Sequence, residues 1–173
     1  MTNGVVTAFG TTLQLAATPD RPPLICEWSA PPLGYIKVNI DATIFSNYNI
    51  VGCGVVARDT EGEFIAWRHT RMRGHWNPEV AEACAVLGGI NMALDFNWRR
   101  VIFESDCYNV VTAFKNATCR FSEFGGFIDE GLRLCKTLDD FRFTHVKREG
   151  NKFAHNVASF FSSSCEGLGV PPC

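Results

Sequence analysis

The sequence lacks several features that mark common functional classes. No apolar run approaches the ~18 residues that a membrane-spanning helix needs, and the chain's start has no basic segment typical of a secretion signal. Lysine and arginine (16) do not outnumber aspartate and glutamate (18), so the net charge of −2 gives no overall basic field for nucleic acid. We therefore expect a soluble, intracellular protein, in which any contact with nucleic acid comes from a local patch.

Closely paired cysteines are also absent. The 173 residues include eight cysteines, but none of them form a Cys-x-x-Cys pair. Disulfides and a zinc site are the alternatives that so many cysteines raise. Most of them lie in apolar runs, as Cys84 and Cys135 do, where a small hydrophobic residue would serve equally well. We interpret them as reduced thiols with a packing role.

The composition predicts one domain between two extensions. A hydrophobic content of 46% is enough for one substantial core in a chain of this length. Residues 1–33 contain five prolines and no periodicity, which predicts an extended or disordered leader. Residues 164–173 predict a flexible tail. The domain itself is expected over residues 34–163.

The first half of this domain has the pattern of an antiparallel meander followed by a helix. Polar and apolar residues alternate from Ile36 to Asp41, which predicts a half-buried strand with Asp41 at its end, on the polar face. Two further strands, 51–58 and 63–67, flank a turn that contains glycine. Asn77, followed by proline, predicts the start of a largely buried helix.

The second half alternates strands and helices. It predicts a final helix from residue 151 that buries Phe153, Val157 and Phe160 at helical spacing. The remaining predicted elements are a strand at 101–103, a helix at 108–117, a helix within 123–138 and a strand at 141–146. The predicted fold class is α/β, with a mixed five-stranded sheet of three antiparallel and then parallel strands, flanked by helices on both faces.

Four polar residues stand where packing alone does not require them. Asp41 ends the first strand, Glu82 lies one turn into an apolar helix, Asp106 follows a buried strand, and His155 lies in the last helix. Each has an ordinary alternative: a turn residue, a helix-dipole partner, an N-cap and a solvated histidine. The predicted topology brings the three acids to one crevice, where their repulsion favours a divalent cation. Oxygen ligands favour Mg²⁺ or Mn²⁺.

These residues occur within four landmarks of a known family. From roughly Gly34 to Ser163, "KVNID", "EACA", "ESD" and "GNxxAH" make the chain resemble a type 1 ribonuclease H domain of the retroelement-derived kind abundant in plants. The resemblance implies a ribonuclease H-like fold and an endonuclease that cleaves the RNA strand of RNA–DNA hybrids. It also implies two Mg²⁺ ions, or Mn²⁺, with Asp41 bridging both and Glu82 and Asp106 holding one between them.

The chain departs from the family's active members in two places that matter. His155 stands where an aspartate is usual, and Lys147–Gly150 replaces a longer loop that carries a histidine. His155 is expected to point toward the crevice, as a ligand or a proton carrier. A slow or inactive enzyme is therefore the alternative: a ribonuclease H-like module that binds nucleic acid or another protein. A proofreading-type exonuclease is disfavoured, because such sites place a second acid where Thr43 stands.

Substrate contacts are predicted next to the acids. The backbone amides of Gly52, Cys53 and Gly54 would approach the RNA strand, since two of these residues have no side chain. Asn49 and Asn77 would reach sugar hydroxyls. A basic stretch from Arg68 to Trp76 could contact phosphates, or could be a solvated loop. The expected partner is an RNA–DNA hybrid bound by a monomer that uses no organic cofactor.

Overall fold

The computed structural model describes residues 28–117, 122–160 and 166–169. Its strands are β1 (Ile36–Phe45), β2 (Ile50–Arg58), β3 (Phe64–Arg73), β4 (Arg100–Ser105), β5 (Asp140–His145) and β6 (Glu166–Gly169). Its helices are α1 (Pro78–Asp95), α2 (Tyr108–Asn116), α3 (Glu123–Cys135) and α4 (Lys152–Ala158). The strands form one sheet in the order β5-β4-β1-β2-β3-β6. β1, β2 and β3 are antiparallel, and β4 and β5 run parallel to β1.

The predicted five-stranded mixed sheet is therefore present as β1 to β5. The boundaries shift because tertiary pairing extends the strands beyond the apolar pattern. β3 continues to Arg73, so most of the basic stretch lies on a strand, not in a loop. β1 continues four residues past Asp41 while it pairs with β2, so Asp41 lies inside the strand and not at its end.

A sixth strand lies within residues 164–173, for which the sequence predicts a flexible tail. Glu166–Gly169 pairs antiparallel with Trp67–Thr70 of β3. The sequence gives little sign of this strand, because two of its four residues are glycines and no alternation is present. The backbone groups along the edge of β3 supply the pairing partners. The other tail residues, 164–165 and 170–173, lie outside the described residues.

One face of the sheet is apolar and is covered by α1. Val38 and Ile40 of β1 point to this face and contact α1 at Gly89, where a Cβ would come within 2.7 Å of the Ile40 side chain. Phe103 of β4 lies on the same face and stacks on Phe143 of β5. Asn77 caps α1 as predicted, by accepting a hydrogen bond from the backbone N–H of Glu79. This face contains most of the hydrophobic core.

The opposite face is covered by α4, which packs through small residues. Ala154 and Ala158 are fully buried against β2. The prediction that α4 buries Phe153 and Phe160 is wrong, because these side chains are 51% and 61% exposed. Val157 is only half-buried. Helical spacing identified a shared apolar stripe, but the backbone of α4 approaches the sheet too closely for large side chains to lie between them.

Several smaller predictions concern parts of the chain that the structure describes only in part. Of the eight cysteines, the described Cys53, Cys84, Cys107 and Cys135 are reduced, as expected. Residues 1–27 of the predicted leader lie outside the described residues, whereas Trp28 contacts the domain. In the described ranges, no helix combines the length and apolar character needed to cross a membrane.

Candidate active site

Asp41 and Asp106 lie where two parallel strands stop pairing. β1 and β4 pair from Ile36 with Val101 to Ile40 with Ser105, and Asp41 and Asp106 are the residues that follow this last pair in the chain. The β1 residues alternate between faces, so Asp41 projects to the α4 side of the sheet. Its side chain is 6% exposed, and Asp106 lies close enough to act on its charge. The parallel register therefore brings together two acids that are separated in sequence.

Glu82 reaches the same position from α1. It lies one turn into the helix that begins at Pro78, and its carboxylate accepts a hydrogen bond from the backbone N–H of Ala42. Its second oxygen, Oε2, is buried and has no hydrogen-bond partner within residues 28–117, 122–160 and 166–169. A buried carboxylate oxygen without a partner is costly. Glu82 is therefore held beside Asp41 with an acceptor that no group among the described residues satisfies.

His155 supplies the fourth side chain, from α4. Its Nδ1 lies 2.9 Å from Oδ2 of Asp41, and the imidazole is about one third exposed. One turn later, the Ser159 hydroxyl lies 3.0 Å from that of Thr43 on β1. These contacts agree with the expectation that His155 points toward the acids. They also show that it pairs directly with Asp41.

Burial, together with the charges of neighbouring acids, raises the pKa of two of the three acids. Burial raises the pKa of Glu82 to about 8, with the charges of Asp41 and Asp106 acting in the same direction; the Ala42 N–H and Arg148 oppose the shift. Burial also raises the pKa of Asp41 to about 6, helped by Asp106 and opposed by His155. Perturbed carboxyl groups of this kind are characteristic of functional sites.

The donor set has the chemistry of a site for a hard divalent cation. Asp41, Glu82 and Asp106 supply only oxygen, and Oε2 of Glu82 is an acceptor with no partner. Across the described ranges, however, no three His, Cys, Asp or Glu side chains already lie close enough together to hold a metal ion. The direct contact of His155 with Asp41 is consistent with side chains that are not gathered closely enough to hold a metal ion. The residues fit a divalent cation by type and charge, and the side chains would have to close around it.

Of the predicted substrate residues, the structure brings Asn49 and Asn77 together. Both are exposed and line one cavity of about 570 Å³, together with Ile44, Ser46, Gly74, His75 and Trp76. Asn49 ends a short 3₁₀ turn in a left-handed conformation, with φ of 51°. Its carbonyl accepts a hydrogen bond from the N–H of Gly74, which fixes the β1–β2 connection against the end of β3.

Gly52, Cys53 and Gly54 have a different environment from the one predicted. A Cβ on Gly52 would lie 2.1 Å from the Ala158 carbonyl oxygen, and one on Gly54 would lie 2.3 Å from that of Ala154. These glycines therefore permit α4 to pack on β2, and their backbone is paired within the sheet. Cys53 points to the opposite face, where its buried thiol shares a hydrogen bond with Cys84. Its side chain belongs to the core.

Three polar residues that lie beneath α4 were not expected from the sequence. Asn39, Glu104 and Asn151 are at most 5% exposed and are hydrogen-bonded to one another through Asn39. One feature of the sequence indicated the position of Asn39. It is two residues from both Lys37 and Asp41 on β1, so its side chain lies on the same face of the strand. His145, which the sequence did not connect with the site, lies with Nε2 3.2 Å from the carbonyl oxygen of Asp106.

Comparison with known proteins identifies the family of this chain. Residues 39–161 match a protein family described as reverse transcriptase-like. The chain belongs to this family. The match includes all three acids and His155. A protein of Arabidopsis thaliana, provisionally named a ribonuclease H protein, is 28% identical over 145 residues. The match covers 82% of this chain but 23% of that relative, so the chain spans less than a quarter of the relative's length.

Solved structures show the same fold for this member of the reverse transcriptase-like family. Ribonuclease H1 of the archaeon Halobacterium salinarum has a TM-score of 0.66 at 21% identity, over 72% of this chain and 94% of that one. LC11-RNase H1, isolated from compost and solved in complex with an RNA/DNA hybrid, has a TM-score of 0.63 at 18% identity. That match covers 70% of this chain and 92% of the other. The fold is ribonuclease H-like.

Proposed function

We propose that this domain is a metal-dependent endonuclease that hydrolyses the RNA strand of RNA–DNA hybrids. One observation carries the proposal: Asp41, Glu82 and Asp106 come from three separate segments and act on one another's charge, and Oε2 of Glu82 is buried without a partner in the described part of the chain. The names of the relatives, and the hybrid bound by LC11-RNase H1, support the choice of substrate.

Asp41, Glu82 and Asp106 would hold two divalent ions, Mg²⁺ or Mn²⁺. When bound, such ions help to activate the attacking water and stabilise charge on the leaving 3′ oxygen. Ionisation of Glu82 is then favoured, because positive charge lowers the pKa that burial raises. A Glu82 carboxylate oxygen could accept a hydrogen bond from a ribose 2′-hydroxyl, the group that distinguishes RNA from DNA. The cleaved RNA would carry a 5′-phosphate.

His155 has two possible roles in this site. Its imidazole can carry a proton between Asp41 and water, because Nδ1 lies 2.9 Å from that carboxylate and the ring is partly exposed. It can also act as a nitrogen ligand in place of the usual acid. A nitrogen ligand suits Mn²⁺ better than Mg²⁺. If His155 is a ligand, cleavage is faster in Mn²⁺ than in Mg²⁺. Replacement of His155 by aspartate would then narrow the difference between the two rates.

Substrate binding would involve the cavity that Asn49 and Asn77 share. Their amides are suited to sugar hydroxyls, and the neighbouring Trp76 ring is suited to stacking on a base. Gly52 and Gly54 could contribute only through their backbone at the sheet's end, since α4 covers their Cα positions. We expect a monomer to be sufficient for binding.

The contact between His155 and Asp41 favours a second candidate function. An imidazole in contact with Asp41 can neutralise part of the acidic cluster, so the fold could persist as a noncatalytic module that binds nucleic acid or a protein. One assay separates the two functions: the purified chain is incubated with end-labelled RNA–DNA hybrid, duplex RNA and duplex DNA, in Mg²⁺ and in Mn²⁺. We expect cleavage of the hybrid's RNA strand alone. Hybrid binding without cleavage above an Asp41→Asn control in either ion would instead support the module.

A further inference from the structure

The side chain of Asn151 lies between Asp41 of β1 and Asp106, the residue that follows β4. It precedes α4 and is 1% exposed. Its Nδ2 donates two hydrogen bonds, one to the carbonyl oxygen of Ile40 at 2.9 Å and one to Oδ1 of Asp106 at 3.1 Å. Ile40 immediately precedes Asp41. A single amide group therefore links the Asp106 carboxylate to the backbone that carries Asp41.

The orientation of this amide is fixed from its other side. Oδ1 of Asn151 accepts from Nδ2 of Asn39 at 3.2 Å, and that nitrogen also donates to Oε2 of Glu104 at 2.9 Å. Oδ1 of Asn39 accepts from the indole Nε1 of Trp28 at 2.8 Å. If either amide were flipped, nitrogen would face a donor and oxygen would face an acceptor. The hydrogen-bonded chain Trp28–Asn39–Asn151 thus permits one orientation of each amide.

We propose that Asn151 is a positioning residue for Asp106, and that Trp28 and Asn39 hold its amide in the donating orientation. Asp106 then presents a carboxylate of defined plane to Asp41 and Glu82, instead of sampling several rotamers. This role rests on the proposed function to the extent that Asp106 is a metal ligand. It also extends the functional unit to Trp28, six residues before the start of the domain predicted from sequence.

The expected loss of metal affinity can be judged from other residues that orient metal ligands through hydrogen bonds. Loss of such a partner typically costs 10- to 100-fold in metal affinity or activity, because the ligand must be ordered when the ion binds. Thr144 provides a matched control, since its hydroxyl donates to Glu104 at 3.3 Å in the same network without contacting Asp106. If a substitution simply loosened the hydrogen-bond network, changes at Asn151 and at Thr144 would both weaken metal binding. If Asn151 positions Asp106, only a change at Asn151 would weaken it.

The first experiment measures Mn²⁺ affinity from the electron paramagnetic resonance signal of unbound Mn²⁺. We expect Asn151→Ser to bind Mn²⁺ at least about tenfold more weakly than the wild type. Thr144→Val should remain within twofold. Circular dichroism and thermal melting establish that each variant is folded. Affinity within twofold of wild type in folded Asn151→Ser would overturn the proposal.

A second pair of variants serves if Asn151→Ser does not fold. Trp28→Phe removes the indole donor but keeps an aromatic ring, and Trp98→Phe makes the same change where Trp98 stacks on Phe96. We expect Trp28→Phe to weaken Mn²⁺ binding two- to fivefold and Trp98→Phe to leave it unchanged. Equal affinities in the two variants would refute the role of the chain from Trp28.

A metal-free measurement separates this inference from the proposed function. Nuclear magnetic resonance can follow hydrogen exchange of the Asn151 side-chain amide in the absence of divalent ions. Exchange should be slow in the wild type and at least about tenfold faster in Asp106→Ala, but unchanged in Asp95→Ala. Equal exchange in the wild type and Asp106→Ala would overturn the positioning contact. Failure of the wild type to bind Mn²⁺ or to cleave hybrid, with the exchange result intact, would refute only the proposed function.

Discussion

The two faces of β1 bury side chains of opposite character, apolar toward α1 and polar toward α4. Toward α1 the strand presents Val38 and Ile40, which are fully buried in apolar surroundings. Toward α4 it presents Lys37, Asn39 and Asp41, which are at most 6% exposed. The first face gains stability from burial of apolar surface. The second face buries charge, which costs free energy unless the groups are paired.

The pairing on the α4 side is extensive but incomplete. Lys37 lies 3.2 Å from Glu104, and Asn39 hydrogen-bonds to Glu104 and Asn151. Near Asp41 the network reaches Asp106 through Asn151, and Glu82 adds from α1 a buried oxygen that has no partner among the described residues. The contrast indicates that the α1 face supplies stability and that the α4 face carries the chemistry. The predictions below test this division, from the largest expected effect to the smallest.

Truncation of a large side chain on the α1 face should mainly affect stability. Phe103 is 1% exposed and stacks on Phe143, so Phe103→Ala should lower the free energy of unfolding by about 3–5 kcal/mol. Phe160→Ala is the matched control, because Phe160 is 61% exposed and should cost far less. Urea unfolding monitored by circular dichroism measures both. Similar losses would show that Phe160 belongs to the core after all.

Removal of the Asp41 charge on the α4 face should mainly affect activity. We expect Asp41→Asn to lower hybrid cleavage at least about 100-fold, equivalent to ~2.7 kcal/mol of transition-state stabilisation. Its melting temperature without metal should not fall, because one of three mutually repelling acids is neutralised. Glu130→Gln, at an exposed pair on α3, controls for charge and should leave both quantities unchanged. Retention of more than a tenth of the wild-type rate would contradict the assignment.

The raised pKa values make the stability of the metal-free protein depend on pH. The pKa of Glu82 is raised from its ordinary 4.5 to about 8, and that of Asp41 from 3.8 to about 6. Folding favours their protonated forms, so this contribution is fully present below about pH 4 and is lost as pH rises toward about 8. We expect the melting temperature to fall across this range by an amount equivalent to a few kcal/mol at most.

Two additions sharpen the pH experiment. Glu82→Gln should flatten the upper part of the profile, because its side chain does not ionise. Millimolar Mg²⁺ or Mn²⁺ should raise the wild-type melting temperature most near pH 8, through preferential binding to the folded state. Thermal melting from pH 4.5 to 9 measures these effects. The same slope in the wild type and Glu82→Gln would show that Glu82 is not the perturbed group.

Crowding between α4 and β2 should have a smaller effect that couples stability to activity. Gly54→Ala would bring a Cβ to 2.3 Å from the Ala154 oxygen, so α4 must shift and draw His155 away from Asp41. We expect a loss of about 1–3 kcal/mol in stability and a lower cleavage rate. Gly88→Ala in α1 meets nothing within 4 Å and should be neutral or stabilising. If Gly54→Ala were equally neutral, α4 would not be held by this contact.

The smallest effect is expected at His155. His155→Asp should reduce the ratio of the Mn²⁺ to the Mg²⁺ cleavage rate by up to about tenfold, chiefly by raising the Mg²⁺ rate, because Mg²⁺ prefers oxygen ligands. His155→Ala should lower the rate in Mn²⁺ if the imidazole is a ligand. Initial rates in both ions measure this. Rates unchanged within twofold in both variants would leave the three acids as the whole site.

The sequence by itself determined the elements and the residues with unusual chemistry. Alternation in β1 put Asp41 on its polar face, and Asn77 with Pro78 specified where α1 begins, because caps and periodicity are local properties. The order of strands and helices was sufficient to predict a mixed sheet with helices on both faces, and the structure confirms this fold. The role of the acids could only be proposed, since no local pattern shows which charges converge.

The tertiary structure decided what depends on partners distant in sequence. The register of β1 with β4 placed Asp41 and Asp106 side by side, and pairing with β3 made a strand of Glu166–Gly169. The glycines of β2, which looked suited to a ligand, are required because α4 packs on them through backbone atoms. The same close approach leaves Phe153 and Phe160 outside the core. Burial and hydrogen bonding are properties of surfaces in contact, and these surfaces form only when distant segments meet.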